Sequence, residues 1–439
     1  MAGYIPSTRD ERQLMLKELG MKDYKDLYVD VPASVLLDEL PGVAKGVSEM
    51  EAEATMRAMA EMNVLYPTVL RGAGIYDHYI PSIVDTVAGK EEFVTAYTPY
   101  QAEISQGVLQ SIFEYQTMIC ELTGMDASNA SVYDGASAAA EGAMMCLKRN
   151  RNVVYVADNA NPETIETIKT YAYGRDVKVE MLSSKKGVID VNVLEDALCD
   201  EAACLFIQQP NFYGLIEDIE AIADKVHNKG AKLIVGCYPT ALGMLESPGA
   251  LGADIATGDG QPLGIPMGYG GPTVGFMATK KAMVRQLPGR IVGQTTDSRG
   301  GRAFVLTLQA REQHIRREKA SSNICSNQAL CALRAGVYMA VMGKKGLSEA
   351  AELSYDKAHY LAKRLCEIPG IKMVYDGPYF NEFMTTLPVD AAQIEKALHK
   401  VGILSGLPVD GGMLWCVTEK ATKEALDLTV QTVRGAVSK

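Results

Sequence analysis

Apolar residues in the middle of the chain follow two alternating spacings, and this alternation predicts the fold class. From Glu103 to Gly124 they recur three and four residues apart, which is typical of a helix with one buried face. Short β-branched runs follow, and they read as strands: Val153–Ala157, Val177–Leu182, Ala203–Gln208, Lys232–Cys237, Ala253–Thr257 and Pro272–Ala278. Helical segments separate most of them, including Pro162–Tyr173, Val191–Cys199 and Asp218–Lys229. Strands spaced by helices predict an α/β domain whose mostly parallel sheet is covered on both faces.

The two ends of the chain have other patterns. The first 60 residues predict a helical arm, with one helix ending at Gly20 and a second spanning Ser48–Asn63. Beyond about residue 326, two long helices precede shorter strands and helices, and the last helix again has apolar residues three and four apart. We therefore predict three parts, namely a helical arm (1–60), a large domain (61–325) and a small α+β domain (326–439).

Composition and charge exclude several classes of protein. Lysine and arginine total 43 against 54 acidic residues, a formal net charge of −11, which argues against a broad nucleic-acid surface. No apolar run is long enough for a membrane span, and the N-terminus lacks the pattern of a signal peptide. The nine cysteines form no C-x-x-C, and the five histidines form no zinc-binding motif. These features predict a cytoplasmic protein with reduced thiols, no metal site, no nucleic-acid partner and no membrane contact.

Three glycine-containing segments are candidates for ligand binding. Arg71–Gly74 follows a proline-broken helix and predicts a tight turn. Asp134–Ala140 begins a helix with small residues, which suits either a phosphate held by backbone N–H groups or close packing against the sheet. Gly258–Pro272 is the segment densest in glycine, and we favour a functional role for it because glycines permit positive φ angles and close approach of a ligand or subunit.

Two longer motifs connect the chain to a known family. They are Ala96–Gly107, with the sequence AYTPYQAEISQG, and Arg311–Cys325, with the sequence REQHIRREKASSNIC. Together with Gly258–Pro272 they resemble the glycine decarboxylase P-protein of the glycine cleavage system, and the likeness runs from Tyr4 to Glu419. The length matches the N-terminal half of that protein, which some bacteria encode as a separate subunit 1 (alpha). The resemblance implies the aspartate-aminotransferase-like fold, fold type I of pyridoxal-phosphate enzymes, with a seven-stranded sheet.

The same resemblance implies that this chain has lost its own cofactor site. Pyridoxal-phosphate catalysis requires a lysine for the Schiff base, a carboxylate for the pyridine nitrogen and usually a ring stacked on the cofactor. In the catalytic half of the family the lysine precedes Ile-Pro-x-Gly-Gly-Gly-Gly-Pro, and here its position falls on Gln261. The carboxylate position, just before a glycine, falls on Val235, and the stacking histidine, after a Gly-Ala pair, on Ser137. We therefore expect no catalytic or cofactor-binding residue on this chain.

The resemblance also implies a reaction and partners. Glycine and the oxidised lipoyl arm of H-protein would give carbon dioxide and aminomethyl-dihydrolipoyl H-protein, an oxidation of a CH–NH₂ group with a disulfide acceptor. Pyridoxal phosphate would lie on a partner subunit 2, in a heterotetramer of two copies of each subunit. The candidates for completing the partner's active site or interface are Tyr97, Thr98, Tyr100, Gln101, Arg316 and Asn323.

Several alternatives stay open. The segment Tyr97–Gln101 also suits a plain brace for the following helix. Four basic residues suit a phosphate, an acidic partner surface or an ordinary helix ion-pair face, because Glu312 and Glu318 interleave with them: Arg311, Arg316, Arg317 and Lys319. A different function is a self-sufficient amino-acid decarboxylase or lyase that uses Lys280, although Lys280 and Lys281 are expected to be exposed surface lysines. A third is a purely structural partner of the catalytic subunit.

Overall fold

The computed structural model describes residues 7–37, 40–309, 313–320 and 322–438. The chain divides into two compact units, Met1–Val64 and Leu65–Lys439. Among the described residues, none of the helices combines the length and the apolar character that crossing a membrane requires. The same part of the chain contains no cluster of three or more histidine, cysteine or acidic side chains suited to a metal ion. The predicted domain boundaries at residues 60 and 325 stay predictions.

The first unit is short helices with very little buried surface. Its elements are α1 (Arg9–Glu18), a 3₁₀ turn (Tyr24–Tyr28) and α2 (Glu49–Ala60). Both α-helices begin with a capping box, in which Thr8 pairs with Glu11 and Ser48 pairs with Glu51, so the local sequence dictates where they start. Leu16 is the one buried side chain among the described residues of this unit. Its other apolar side chains are therefore available for a surface outside it.

The second unit contains most of the secondary structure. Its strands are β1 (Thr68–Val69), β2 (Ala127–Ser128), β3 (Val153–Ala157), β4 (Lys178–Leu182), β5 (Ser184–Lys185), β6 (Val188–Ile189), β7 (Ala202–Gln209), β8 (Lys232–Cys237), β9 (Ile255–Asp259), β10 (Gly275–Thr279), β11 (Ile291–Thr296), β12 (Arg302–Thr307), β13 (Glu382–Thr385), β14 (Ile403–Leu404), β15 (Leu407–Val409) and β16 (Gly412–Cys416). Its α-helices are α3 (Ser82–Ala88), α4 (Glu91–Val94), α5 (Gln106–Thr123), α6 (Gly135–Met145), α7 (Pro162–Tyr173), α8 (Val191–Ala197), α9 (Ile219–Asn228), α10 (Gln313–Arg316), α11 (Ala329–Cys366), α12 (Ala391–His399) and α13 (Lys423–Val437).

A seven-stranded sheet forms the centre of this unit, in the order β2-β10-β9-β8-β7-β3-β4. Strands β4, β3, β7, β8 and β9 are parallel, whereas β10 is antiparallel to both of its neighbours. The prediction of a mostly parallel sheet is confirmed. Strand β9 ends two residues later than its apolar run predicts, because Gly258 and Asp259 continue the pairing with β10.

Apolar layers cover both faces of the sheet. On one face Leu205 and Val235 pack with α5, α9 and the first half of α11. On the other face Phe206 and Ile234 pack with α6 and α7. These strands are buried on both sides, which explains why they read as continuous apolar runs with no polar alternation.

The C-terminal residues form a separate layer around a three-stranded sheet, β13-β16-β15. Trp415 lies at the centre of its core, against α12, α13 and the second half of α11. Helix α11 breaks at Gly343, where φ is 59°, so the two long helices predicted from the sequence are confirmed as the two halves of one element. Strand β1 pairs with β14, which links the start of the unit to this layer.

Candidate functional site

A cavity of about 310 Å³ lies where the carboxyl ends of the parallel strands meet the N-terminus of α6. We call it the strand-end cavity, and Gly135, Asn161, Gln208, Cys237 and Asp259 are among the residues that line it. Ligands of open parallel sheets bind at this edge, because the strand ends and the following helix N-termini converge there. The position makes this cavity the first candidate for a ligand site.

The N-terminus of α6 is already occupied by carboxylates of the chain itself. The backbone N–H of Ser137 donates to Asp134 Oδ1 at 2.7 Å, and that of Gly135 donates to Asp259 Oδ2 at 3.0 Å. A β-carbon on Gly135 would lie 2.7 Å from the backbone nitrogen of Asp259, so glycine permits this close approach of α6 to β9. An anion that reached these amides would have to displace a carboxylate.

Asp259 is the most constrained of these groups. It accepts hydrogen bonds from the hydroxyl of Thr273, from Gly135 and, at 2.8 Å, from the backbone N–H of Gln261. Burial raises the pKa of the Asp259 carboxyl above its ordinary value, although these hydrogen bonds act in the opposite direction. The side chain therefore fixes both the start of α6 and the loop that follows β9.

None of the three positions predicted from the family's cofactor site lines the strand-end cavity, although a neighbour of each does. Ser137 and Val235 are buried, and Val235 packs in the apolar layer described above. Gln261 is also buried, and its carboxamide bonds only to backbone groups. Its Oε1 accepts from Tyr76 N–H at 2.9 Å, while its Nε2 donates to the carbonyls of Tyr76 at 2.9 Å and Ile265 at 2.8 Å. Gln261 thus joins two loops.

A second cavity, also of about 310 Å³, lies on the other side of Gln261, and we call it the His78 cavity. The imidazole of His78 donates from Nδ1 to Glu419 Oε2 at 2.6 Å, and its Nε2 contacts the hydroxyl of Tyr238. Tyr238 in turn stacks on Tyr76 at 4.1 Å between ring centroids. The Tyr238 ring lines the strand-end cavity, so this buried polar chain connects the two cavities.

A larger groove, of about 980 Å³, contains the first family motif, and we call it the Tyr100 groove. Tyr97, Thr98, Tyr100 and Gln101 all line it, opposite Cys325 and the residues that lead into α11. The hydroxyl of Tyr100 donates to Asn327 Oδ1, and Thr98 donates to Gln101 Oε1 at 3.3 Å. The structure therefore brings together the four predicted residues and the end of the second motif.

Two other predicted residues lie elsewhere. Arg316 ends the short helix α10, and Asn323 is exposed; neither lines the Tyr100 groove. Arg311 lies outside the described residues. Within the second motif, Ser322 has an anchoring role, because its hydroxyl donates to the buried Glu141 of α6 at 2.9 Å.

The glycine-rich segment Gly258–Pro272 borders all three cavities. Gly270 lines the strand-end cavity, Met267 lines the His78 cavity, and Pro272 lines the Tyr100 groove. At its tip Tyr269 has a φ of 52°, a conformation that favours glycine, and its side chain is 88 % exposed. A close approach does occur at Gly264, where φ is 86° and a β-carbon would lie 2.7 Å from Tyr338 Cβ.

Lys280 lies at the opposite edge of the sheet from the strand-end cavity. It follows β10, whose antiparallel direction takes its end to the amino-terminal edge of β9. The ammonium group donates to the carbonyls of Gly124 at 3.2 Å and Gly249 at 2.7 Å. The expectation of an exposed lysine is wrong for Lys280, which is half-buried, and right for Lys281.

The important residues that sequence reasoning missed are Asp259, the His78–Glu419 pair and Arg290. Asp259 stands between two glycines, and that signal was available. The pair could not be found, because its members are 341 residues apart in the chain. Arg290 follows a Pro-Gly pair in a segment without any recognised motif.

The fold is that of the fold type I pyridoxal-phosphate enzymes. Sphingosine-1-phosphate lyase from Burkholderia pseudomallei superposes with a TM-score of 0.67 at 15 % identity, over 94 % of each chain. A solved glycine decarboxylase (P-protein) of the glycine cleavage system, in inhibitor-bound form, superposes with a TM-score of 0.90 at 40 % identity, over 99 % of this chain and 100 % of that one.

The glycine cleavage system P-protein family profile matches residues 2–433. Curated relatives named probable glycine dehydrogenase (decarboxylating) subunit 1 match along their whole length. The protein of Desulforamulus reducens is 48 % identical over 99 % of this chain and 100 % of its own, and that of Exiguobacterium sibiricum is 49 % identical over 98 % of both. The chain belongs to the glycine cleavage system P-protein family.

Proposed function

We propose that this chain is the subunit without cofactor in a heteromeric glycine dehydrogenase (decarboxylating). Its relatives are named subunit 1, which implies a second kind of subunit in the same enzyme. A partner subunit 2 carries pyridoxal phosphate, and the assembly decarboxylates glycine. Carbon dioxide leaves, and the remaining aminomethyl group passes to the lipoyl disulfide of H-protein. The S–S bond breaks, so that one sulfur carries the aminomethyl group and the other becomes a thiol. The enzyme works in the cytoplasm.

The observation that carries the proposal is the state of the residues around the strand-end cavity. They do not fit pyridoxal phosphate, because Gln261 offers no amine for an imine and Val235 no charge for the pyridine nitrogen. The amides of Gly135 and Ser137 that suit a phosphate are bonded to Asp259 and Asp134. The cofactor therefore belongs to the partner.

The contribution of this chain to the reaction comes from the Tyr100 groove. The hydroxyl and amide groups that line the groove belong to the segment Tyr97–Gln101. Because Pro99 restricts the backbone of this segment, its side chains lose little conformational entropy when they contact a ligand. We place the groove against the partner's active site or along the entry path of the lipoyl arm. There Tyr97, Thr98, Tyr100 and Gln101 position substrate groups and exclude water. Arg316 and Asn323 lie outside the groove and are assigned to the subunit interface.

The arm supports an obligate assembly of two copies of each subunit. Helix α2 has no buried residue, and apolar side chains such as Leu19, Met62 and Val64 are exposed. An arm with so little core of its own gains stability by covering a neighbouring chain.

The test is to trap any imine on this chain directly. The purified full chain is incubated with pyridoxal phosphate, reduced with borohydride and examined by peptide mass spectrometry, beside subunit 2 treated in the same way. We expect a modified lysine in subunit 2 and no specific one here. A pyridoxyl group on Lys280, absent from the Lys280→Ala variant, would establish the self-sufficient decarboxylase or lyase instead.

A further inference from the structure

The Tyr100 groove contains a cation that has no acid partner among the described residues. Arg290 is half-buried and lines the groove, with its guanidinium carbon 4.2 Å from the centroid of the Tyr100 ring. Its side chain makes one long hydrogen bond, from Nε to the carbonyl of Cys325 at 3.4 Å. Within the part of the chain that the structure describes, no carboxylate pairs with it, and Glu103, the acid that also lines the groove, makes no ion pair with it.

Half-buried arginines in the described residues find different partners. The chain has 54 acidic residues against 43 basic ones, so carboxylates are in excess. Arg71 pairs with Glu395 at 2.8 Å and Arg334 pairs with Asp85 at 2.5 Å. Arg12 and Arg151 have no acid in the described residues, but they donate to the Tyr24 hydroxyl at 3.1 Å and the Ala202 carbonyl at 2.9 Å. Arg290 differs from all four, because its one bond is 3.4 Å long. A partly desolvated guanidinium without a counter-charge is costly unless an anion completes it. The groove therefore leaves room for an anion that is not part of the described chain.

The backbone holds Arg290 in place. Its carbonyl accepts the N–H of Ala130 at 2.7 Å, and the carbonyl of Pro288 accepts Asn129 Nδ2 at 2.9 Å. Between them Gly289 has a φ of 76°, and a β-carbon there would lie 3.1 Å from Asn129 Nδ2. Because Asn129 is fully buried, the turn that presents Arg290 is anchored in the core. A preorganised cation of this kind is suited to recognition.

The ring of Tyr100 supports the Arg290 guanidinium from one face. Its hydroxyl is held by Asn327, and stacking on its face orients the planar guanidinium while leaving the outer N–H groups free to bond in the plane. Such a fork matches the two oxygens of a carboxylate or a phosphate. We propose that Arg290 binds an oxyanion, a carboxylate or phosphate group, in the Tyr100 groove. Resting on the proposed function, the two sources are the carboxylate of the amino-acid substrate and the phosphate of the cofactor on the partner subunit.

The first experiment tests the oxyanion site on the full chain alone. Thermal unfolding is followed while potassium acetate or inorganic phosphate is added, with potassium chloride holding the ionic strength constant. A bound anion stabilises the folded chain in proportion to its occupancy. Arg290→Gln should raise the apparent dissociation constant about tenfold, and Arg290→Lys should raise it less, because lysine keeps the charge without the fork.

Arg302→Gln is the matched control. Arg302 also lies over an aromatic ring, 5.6 Å from the centroid of Phe304, but it is exposed and does not line the groove. Acetate and phosphate should stabilise the Arg302→Gln variant as much as they stabilise the parent chain. If Arg290→Gln and Arg290→Lys also respond as the parent does, or if the parent shows no anion-dependent stabilisation, Arg290 is no oxyanion site.

The second experiment uses the assembled enzyme to identify the source. If Arg290→Gln raises the KM for glycine and leaves the affinity for the cofactor unchanged, the anion that Arg290 binds is the substrate carboxylate. If Arg290→Gln instead binds pyridoxal phosphate no more tightly than pyridoxal, the anion that Arg290 binds is the cofactor phosphate. If neither changes in Arg290→Gln while Tyr100→Phe or Gln101→Ala still lowers turnover, the oxyanion proposal fails and the proposed function stands. If none of the three variants has an effect, the role of the groove fails as well.

Discussion

His78 and Glu419 are hydrogen-bonded at 2.6 Å across a separation of 341 residues, and this bond joins the segment after β1 to the loop before α13. The other oxygen of Glu419 accepts the backbone N–H of Tyr79 at 2.7 Å, so one carboxylate holds two consecutive residues. Burial raises the pKa of Glu419, but the hydrogen bond and charge of His78 together with the backbone N–H of Tyr79 hold the pKa below its usual range.

We predict from this pair a loss of stability in acid. A carboxyl whose pKa is lower in the folded chain stabilises it above the unfolded pKa, and that contribution disappears as the pH falls through the folded pKa. His78→Ala should lower the free energy of unfolding by about 2 kcal/mol at pH 7, since Glu419 Oε2 loses the imidazole while Oε1 keeps the Tyr79 N–H. Urea unfolding at pH 7 and pH 4 should show the difference shrinking in acid; an equal difference at both values would contradict the assignment.

Glu382 should have the opposite pH dependence. Its carboxylate is buried against Tyr76 and the Ala73 N–H, and burial raises its pKa to about 7. A carboxyl whose pKa is higher in the folded chain favours folding below the unfolded pKa, and the contribution disappears as the pH rises towards 7. Between pH 4.5 and 7 the parent should lose about 3 kcal/mol from this group, and Glu382→Gln should not. Urea unfolding across this range measures the difference, with the exposed Glu114→Gln as the control.

Gln261→Lys alone should not create a cofactor site. The substitution removes the acceptor of the Tyr76 N–H and leaves Asp259 and Asp134 on the α6 amides. The unsatisfied N–H should lower the free energy of unfolding by about 2 kcal/mol. Spectra with added pyridoxal phosphate should show no imine band, and the assembled variant should decarboxylate no more glycine than the parent. Glycine decarboxylation by the variant chain without subunit 2 would overturn this expectation.

The polar residues of the Tyr100 groove should affect turnover more than stability. In the assembled enzyme, Tyr100→Phe or Gln101→Ala should reduce turnover about tenfold, as expected when a positioned hydrogen bond is lost. Tyr173→Phe is a matched control, because Tyr173 is exposed on α7 and lies outside the groove. Steady-state rates and thermal midpoints are measured together. Parent-like rates in both variants would favour the brace, and with it a purely structural subunit.

Removal of the arm should prevent assembly while leaving the rest of the chain folded. The unit Leu65–Lys439 contains the sheet and all the large apolar clusters, so a chain beginning at Leu65 should keep its thermal midpoint within a few degrees. Native mass spectrometry with subunit 2 should show the full chain in a heterotetramer and the shortened chain as a monomer. Recovery of a heterotetramer from the shortened chain would assign assembly to another surface.

The sequence predicted the sheet well because its strands are short, apolar and separated by strongly periodic helices. Val153–Ala157 and Lys232–Cys237 match their strands at both ends. It did not predict the direction of β10, since an antiparallel strand buried on both faces has the same apolar pattern as a parallel one.

The cavities were predicted less completely than the fold. The motif at Tyr97–Gln101 led to the Tyr100 groove, because its residues are adjacent in the chain. The glycines on either side of Asp259 point to this residue, but they do not reveal its bond to Gly135, which lies 124 residues earlier. Contacts of this kind depend on how α6 packs against β9, and no local pattern encodes that distance.

The carboxylates at the start of α6 also constrain evolution. A mutation that placed a lysine at position 261 would break the bonds of Gln261 while Asp259 still held the Gly135 amide. A mutation that removed Asp259 first would leave the amides of Gly135 and Gln261 without their acceptor. Each single step lowers stability without a compensating activity. Substitutions at positions 259 and 261 therefore cost stability in either order.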